Sequence, residues 1–104
     1  MEETLSAVRA SAAKKVLFLP HAVRQMSRRD RMISAAEVIH VIETGAIIED
    51  YPDDPRGHNC LLFAMCEARA IHVVCAPKGD YLALITAYVP DDDEWHIDWK
   101  TRIG

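Results

Sequence analysis

Gly45 divides the chain into two parts in which apolar residues recur with different periods, and this change constrains the fold most. Before it, apolar side chains return at helical spacing; after it, they form short runs separated by turns. Helices followed by strands are typical of an α+β domain, in which the helices pack against one sheet. The sequence therefore predicts N-terminal helices packed on a mostly antiparallel sheet of four to five short strands.

The segment from Ser34 to Gly45 carries the clearest helix signal. Ser34 and Glu37 form a capping box, in which the serine hydroxyl accepts from the Glu37 amide and the carboxylate accepts from the Ser34 amide. Gly45 fits a left-handed residue that ends the helix. Two other helices are predicted over 2–15 and 21–31. The first has a thin apolar face, so we expect it to pack loosely or against a partner.

Strands are predicted in the segments 16–19, 46–51, 59–66, 69–76 and 81–89. Short turns at 67–68 and 77–80 join the last three strands, which favours antiparallel neighbours. Both faces of these strands are apolar, so both need cover. Helices can cover one face. The helix at 2–15, a tail containing Trp95 and Trp99, or another chain can cover the second.

Size, charge and cysteine content bound the functional classes. The 104 residues fit one domain, and 12 basic against 16 acidic residues give a net charge of −4, which argues against binding nucleic acid or membrane by bulk charge. An odd number of cysteines in apolar runs predicts reduced thiols, and without CxxC pairs we expect no metal and no cofactor. Residues 1–15 lack the apolar region of a signal peptide, and no segment is long enough to span a membrane. We therefore expect a cytoplasmic protein.

One side of the predicted helix over 21–31 is polar, with Ala22, Val23 and Met26 opposite. The polar residues are His21, Arg24, Gln25 and Arg28. Guanidinium groups one turn apart suit a phosphate, and an imidazole can move a proton near neutral pH. The alternative is an ordinary solvated basic face.

His72 is predicted in the middle of a central strand. It is either a hydrogen-bonded core residue or a pocket residue that supplies a proton or orders another side chain. Thr86 and Tyr88 share one face of the last strand and offer hydroxyl groups, although both residue types are also common in strands for structural reasons.

Several segments together resemble an uncharacterised bacterial family, the domain of unknown function 4258. They are His21–Arg29, Ile33–Val38, Ile42–Gly45, Glu49–Pro52, His72–Val74 and Ile85–Tyr88. The resemblance spans about residues 16–95, which leaves the helix at 2–15 as an addition and 96–104 as a tail.

That family is similar to the RelE/ParE and BrnT group of small toxins, which place two helices against an antiparallel sheet. The resemblance implies a toxin-like protein with a small antitoxin-type partner, and RNA cleavage without a metal as its chemistry. It implies that His21 and His72 act as base and acid, that Tyr88 orients or stacks a base, and that Arg24 and Arg28 bind phosphate. Thr86 would contact the substrate beside them.

Two hypotheses of different classes follow. The first is a metal-independent endoribonuclease that acts through the polar stripe and His72. The second is a non-catalytic interaction module, in which the apolar sheet and the tail with Trp95 and Trp99 form a homo-oligomer or partner interface. In the second hypothesis His21 and His72 are structural residues held by buried hydrogen bonds.

Overall fold

Three helices and a five-stranded, mostly antiparallel open sheet form an α+β fold in the computed structural model, which describes residues 1–104. The helices are α1 (Glu2–Lys14), α2 (Pro20–Met26) and α3 (Ala35–Thr44). The strands are β1 (Val16–Phe18), β2 (Ala46–Tyr51), β3 (Asn59–Cys66), β4 (Arg69–Pro77) and β5 (Leu82–Tyr88). This architecture confirms the predicted fold class.

The sheet order is β1-β5-β4-β3-β2. Strands β2 to β5 form successive antiparallel pairs. For β3, β4 and β5 this confirms the prediction from the short turns that join them. Strand β1 instead pairs in parallel with β5, with Val16 opposite Leu82 and Phe18 opposite Leu84. A parallel pair needs a long connection, and the chain from α2 to β4 supplies it.

The first face of the sheet carries the helices and the main core. Val8 of α1 and Val38 of α3 are fully buried there with Leu62 and Val73 of the sheet. The Arg9 guanidinium ties the two helices together, because it donates to the carbonyl oxygens of Ile42 at 3.0 Å and of Gly45 at 3.1 Å. Helix α1 is therefore part of the core, contrary to the expectation of loose packing.

Gly45 follows α3 as predicted, but the reason for glycine is different. Its backbone is extended, with φ −77° and ψ 172°, so the left-handed conformation was wrong. A Cβ atom at Gly45 would lie 2.4 Å from the Val41 carbonyl oxygen and 2.7 Å from that of Phe63. Glycine is needed because the chain passes too close to β3 for any side chain.

Helix α2 ends at Met26, so the helix predicted over 21–31 was too long. The chain turns there because Ile33 has to enter the core, where its amide donates to the Met26 carbonyl oxygen at 2.9 Å. Arg69 of β4 holds this turn by donating to the carbonyl oxygens of Arg31 and Met32 and to the Glu37 carboxylate.

The tail, which here means residues 90–104, covers the part of the second face around His72; this face is opposite to the one on which α1 and α3 pack. Trp95 is 3% exposed and packs edge-on against the His72 ring, with ring centroids 4.5 Å apart. Arg102 anchors the tail through two hydrogen bonds to the Glu49 carboxylate, at 2.7 and 3.0 Å. Of the covers considered for this face, the tail is present around His72, whereas α1 packs on the first face. None of the helices has the length and apolar character needed to cross a bilayer.

Candidate functional site

A polar hollow of about 380 Å³ lies on the second face, between α2, the end of β5 and the start of the tail. We call it the His21 hollow. The side chains that give it its chemistry are His21, Gln25, Arg31, Thr86, Tyr88, Asp91 and Glu94. It thus combines an imidazole, two hydroxyl groups, a guanidinium and two carboxylates.

Helix α2 lies beside β5 because β1 is short. The amide of Leu19 still donates to the Leu84 carbonyl oxygen at 3.1 Å, and the chain then turns into the helix at Pro20. Ala22 is buried on the core side of α2. His21 and Gln25, which are four residues apart and so on one side of the helix, line the hollow.

His72 is adjacent to this hollow but sealed from it. Its side chain is fully buried between Tyr88, its register partner on β5, and Trp95. Nε2 lies 2.7 Å from the Trp99 carbonyl oxygen, and Nδ1 lies 3.2 Å from the Tyr88 hydroxyl. Because a carbonyl only accepts, Nε2 carries the proton and Nδ1 accepts from the tyrosine hydroxyl.

Burial sets the protonation of this pair. It lowers the pKa of His72, against the opposing effect of the Trp99 carbonyl, so the imidazole is neutral at neutral pH. It also raises the pKa of Tyr88 to about 12, so the phenol keeps its proton. Tyr88 lines the hollow and donates its proton to His72, which leaves its oxygen as an acceptor toward the hollow. His72 thus fixes the Tyr88 hydroxyl and has no direct access to a bound molecule.

Three of the predicted site residues, His21, Thr86 and Tyr88, line the same hollow, whereas Arg24 and Arg28 do not line it. Arg24 is exposed on α2. Arg28 lies beyond the end of the helix, where its guanidinium pairs with Asp30 at 3.2 Å.

The arginine that lines the hollow is Arg31, whose guanidinium also lies 3.8 Å from the Asp30 carboxylate. Helical spacing could not select it, because α2 ends at Met26 and a turn carries Arg31 to this place. The fold also brings in Asp91 and Glu94 from the tail.

A second hollow, of about 260 Å³, lies next to the first, because Val74 lines it and Thr86, the register partner of Val74 on β5, lines the first. We call it the Lys78 hollow. Its floor is apolar and formed by Val74, Ala76, Ala83 and Ile85, and its polar rim is formed by Arg56, Asn59 and Lys78.

Metal-binding chemistry has one geometric candidate. The carboxylates of Asp91, Asp92 and Asp93 come within 4.8 Å of one another, and all three side chains are exposed. The three cysteines are buried and free, with the sulfur atoms of Cys60 and Cys75 3.9 Å apart on paired strands.

A sequence model of the domain of unknown function DUF4258 matches residues 18–89. The chain belongs to the DUF4258 family. No curated protein and no solved structure matches it.

The DUF4258 region contains most of the two hollows. It includes His21, Thr86 and Tyr88 as well as Lys78. It begins after α1 and ends before the tail. The carboxylates of the His21 hollow and the tryptophan that covers His72 therefore come from a segment beyond the matched DUF4258 residues.

Proposed function

We propose that this DUF4258 protein is a toxin-like endoribonuclease that cleaves RNA without a metal in the His21 hollow. The observation that carries the proposal is the grouping of His21, Arg31, Tyr88 and Glu94 around one accessible hollow on the sheet. The resemblance of the family to the RelE/ParE and BrnT toxins supports it, and implies a small antitoxin-type protein as the partner.

The reaction needs two proton transfers. The ribose 2′-oxygen forms a bond to phosphorus while the bond from phosphorus to the 5′-oxygen breaks, which leaves a 2′,3′-cyclic phosphate. A base takes the 2′-hydroxyl proton and an acid gives a proton to the 5′-oxygen. We assign Glu94 as the base and His21 as the acid. Glu94 is preferred to Asp91 because an Asp91 oxygen already accepts from the Asp93 amide at 2.9 Å.

The other groups of the hollow hold the substrate. Arg31 neutralises the charge that develops on the phosphate, in the role predicted for Arg24 and Arg28 from the family resemblance. The hydroxyl groups of Thr86 and Tyr88 contact the sugar or the phosphate. His72 is a positioning residue, because it fixes the Tyr88 hydroxyl through the 3.2 Å hydrogen bond and touches no substrate itself.

Induced expression in bacteria tests the proposal. We expect the wild-type protein to stop growth and to fragment cellular RNA, and His21→Ala to relieve both effects. The matched control is His96→Ala, because this exposed histidine lies in the tail outside the His21 hollow. An inert wild type, or equal toxicity of wild type and His21→Ala, would count against a nuclease.

A non-catalytic interaction module is the second candidate. It is favoured by the burial of His72 and its two hydrogen bonds, which are what a structural histidine requires. In this case His72→Ala lowers the melting temperature, and wild type and His21→Ala leave RNA equally intact. Analytical ultracentrifugation of the protein alone would then show a homo-oligomer. With the co-expressed product of the neighbouring gene, it would instead show a complex.

A further inference from the structure

We propose that the Lys78 hollow binds one unpaired nucleobase of the RNA, with the adjacent phosphate held by Lys78. The inference rests on the proposed function and narrows its substrate to single-stranded RNA. Four features carry it: the apolar floor with two small residues, the free cation at the rim, an oriented amide, and the position beside the His21 hollow.

Two of the floor residues are small and face each other across two strands. Ala76 and Ala83 are register partners on β4 and β5 and are 4% and 6% exposed. Methyl groups in these positions leave room for a planar ring against the sheet. The volume of about 260 Å³ is below the roughly 300 Å³ of the smallest typical ligand pockets, so it suits a single base better than a whole cofactor.

Lys78 is the uncompensated cation at the rim. Arg56 also lies there, but its guanidinium is bound to both carboxylate oxygens of Asp54, at 3.1 and 3.0 Å. Lys78 has no carboxylate within ion-pair distance. The Nζ atom of Lys78 lies close to Gly57, since a Cβ atom built at Gly57 would be 2.9 Å from it. The ammonium group therefore stands at the Gly57 side of the hollow with its charge available to a phosphate.

Asn59 supplies a polar contact of fixed direction. Its Nδ2 atom donates to the Asp54 carboxylate and to the Gly57 carbonyl oxygen, both at 3.1 Å, which orients the amide. The Oδ1 atom has no hydrogen-bond partner in the protein. Because every buried polar side-chain atom has such a partner, Oδ1 is exposed to solvent. It can accept a hydrogen bond from an N–H group on the edge of a base.

The position of the hollow connects it to the proposed reaction. Val74 lines the Lys78 hollow and its register partner Thr86 lines the His21 hollow. Because directly opposed residues of two strands point to the same face of the sheet, the two hollows adjoin on one face. A base within a duplex is paired and stacked, and cannot lie against the floor. Single-stranded RNA can place a base there and the neighbouring phosphate at His21.

Fluorescence anisotropy of a labelled single-stranded RNA oligonucleotide, measured over a series of salt concentrations, tests the inference. The protein carries His21→Ala, so that binding is read without cleavage. Adding Lys78→Met should weaken binding about tenfold and reduce the salt dependence by about 0.7 in the logarithmic slope, the loss of one phosphate contact. The matched control is Lys14→Met, an exposed lysine at the end of α1. A second variant, Ala83→Leu, fills the floor and should weaken binding without changing the slope.

Three results would overturn the inference: equal affinity of the Lys78→Met and Lys14→Met proteins, equal affinity for the same RNA as a duplex, or stronger competition by an acidic peptide than by RNA. The two proposals fail separately. Cleavage by the wild type with no effect of Lys78→Met leaves the nuclease without this subsite. Binding that depends on Lys78 without cleavage leaves an RNA-binding module without the nuclease.

Discussion

At the scale of single residues, the environment of His72 decides its chemistry. Burial lowers the pKa of its imidazole, and the Trp99 carbonyl requires the proton on Nε2. The sequence could give the position of this histidine inside a strand and both of its alternatives. It could not select between them, because the groups that seal and bond the ring come from Tyr88, Trp95 and Trp99, far along the chain.

The lowered pKa of His72 makes the stability of the protein depend on pH. An unfolded histidine has a pKa of about 6.5, so below this pH the unfolded state binds more protons than the folded state. The stabilisation that comes from the neutral His72 should therefore be complete above pH about 6.5. The free energy of unfolding should fall as the pH drops toward the lower folded pKa of His72. Denaturant unfolding at a series of pH values measures this decline.

The control for this prediction is His72→Gln, which cannot titrate. Its free energy of unfolding should be lower near neutral pH, and below pH about 6.5 it should depend less on pH than that of the wild type. Parallel pH profiles for the two proteins would show that the imidazole is not held neutral by the fold.

At the scale of elements, local signals predict more than distant ones. The capping box was predicted because Ser34 and Glu37 are near neighbours, and both of its hydrogen bonds are formed, at 3.0 and 3.1 Å. The end of α2 was not predicted, because the turn that follows it is held by Arg69, which is 38 residues from Arg31. The reason for glycine at 45 depends in the same way on the distant backbone of β3.

Gly45→Ala should destabilise the protein because its Cβ atom has no space. The methyl group would lie 2.4 and 2.7 Å from backbone oxygens that cannot move freely, and we expect a loss of about 2 kcal/mol or more in the free energy of unfolding. Gly79→Ala is the matched control. It has open space around it and a φ of +86°, so only a backbone cost of about 1 kcal/mol applies. Chemical denaturation of both variants compares the two costs, and an equal loss would contradict the close approach.

Trp95→Ala should release the tail from the sheet. The indole is almost completely buried against His72, so its removal should cost about 3–5 kcal/mol and expose the second face. Thermal unfolding measures the cost, and binding of a hydrophobic dye measures the exposure. The exposed Ile97→Ala in the same tail is the control, since this side chain is 93% exposed. Equal stability of the two variants would show that the tail does not cover this face.

At the scale of the whole molecule, the candidate site is assembled from separate parts of the chain. His21 comes from α2, Arg31 from the following turn, Tyr88 from β5 and Glu94 from the tail. The sequence could supply His21, Thr86 and Tyr88 from helical and strand periodicity. It could not supply Arg31 and Glu94, which reach the hollow only through a helix end and a tail fold that depend on distant contacts. The net charge of −4 likewise could not predict that the Lys78 ammonium group lies at a hollow without an acidic partner.

The most direct test of the account is RNA cleavage by the purified protein in the presence of EDTA, followed by analysis of the product ends. We predict fragments that carry 2′,3′-cyclic phosphate, and a rate at least about 10²-fold lower for His21→Ala, the loss typical of a missing general acid. His96→Ala should retain the wild-type rate. Intact RNA with the wild-type protein, or equal rates for wild type and His21→Ala, would contradict the account.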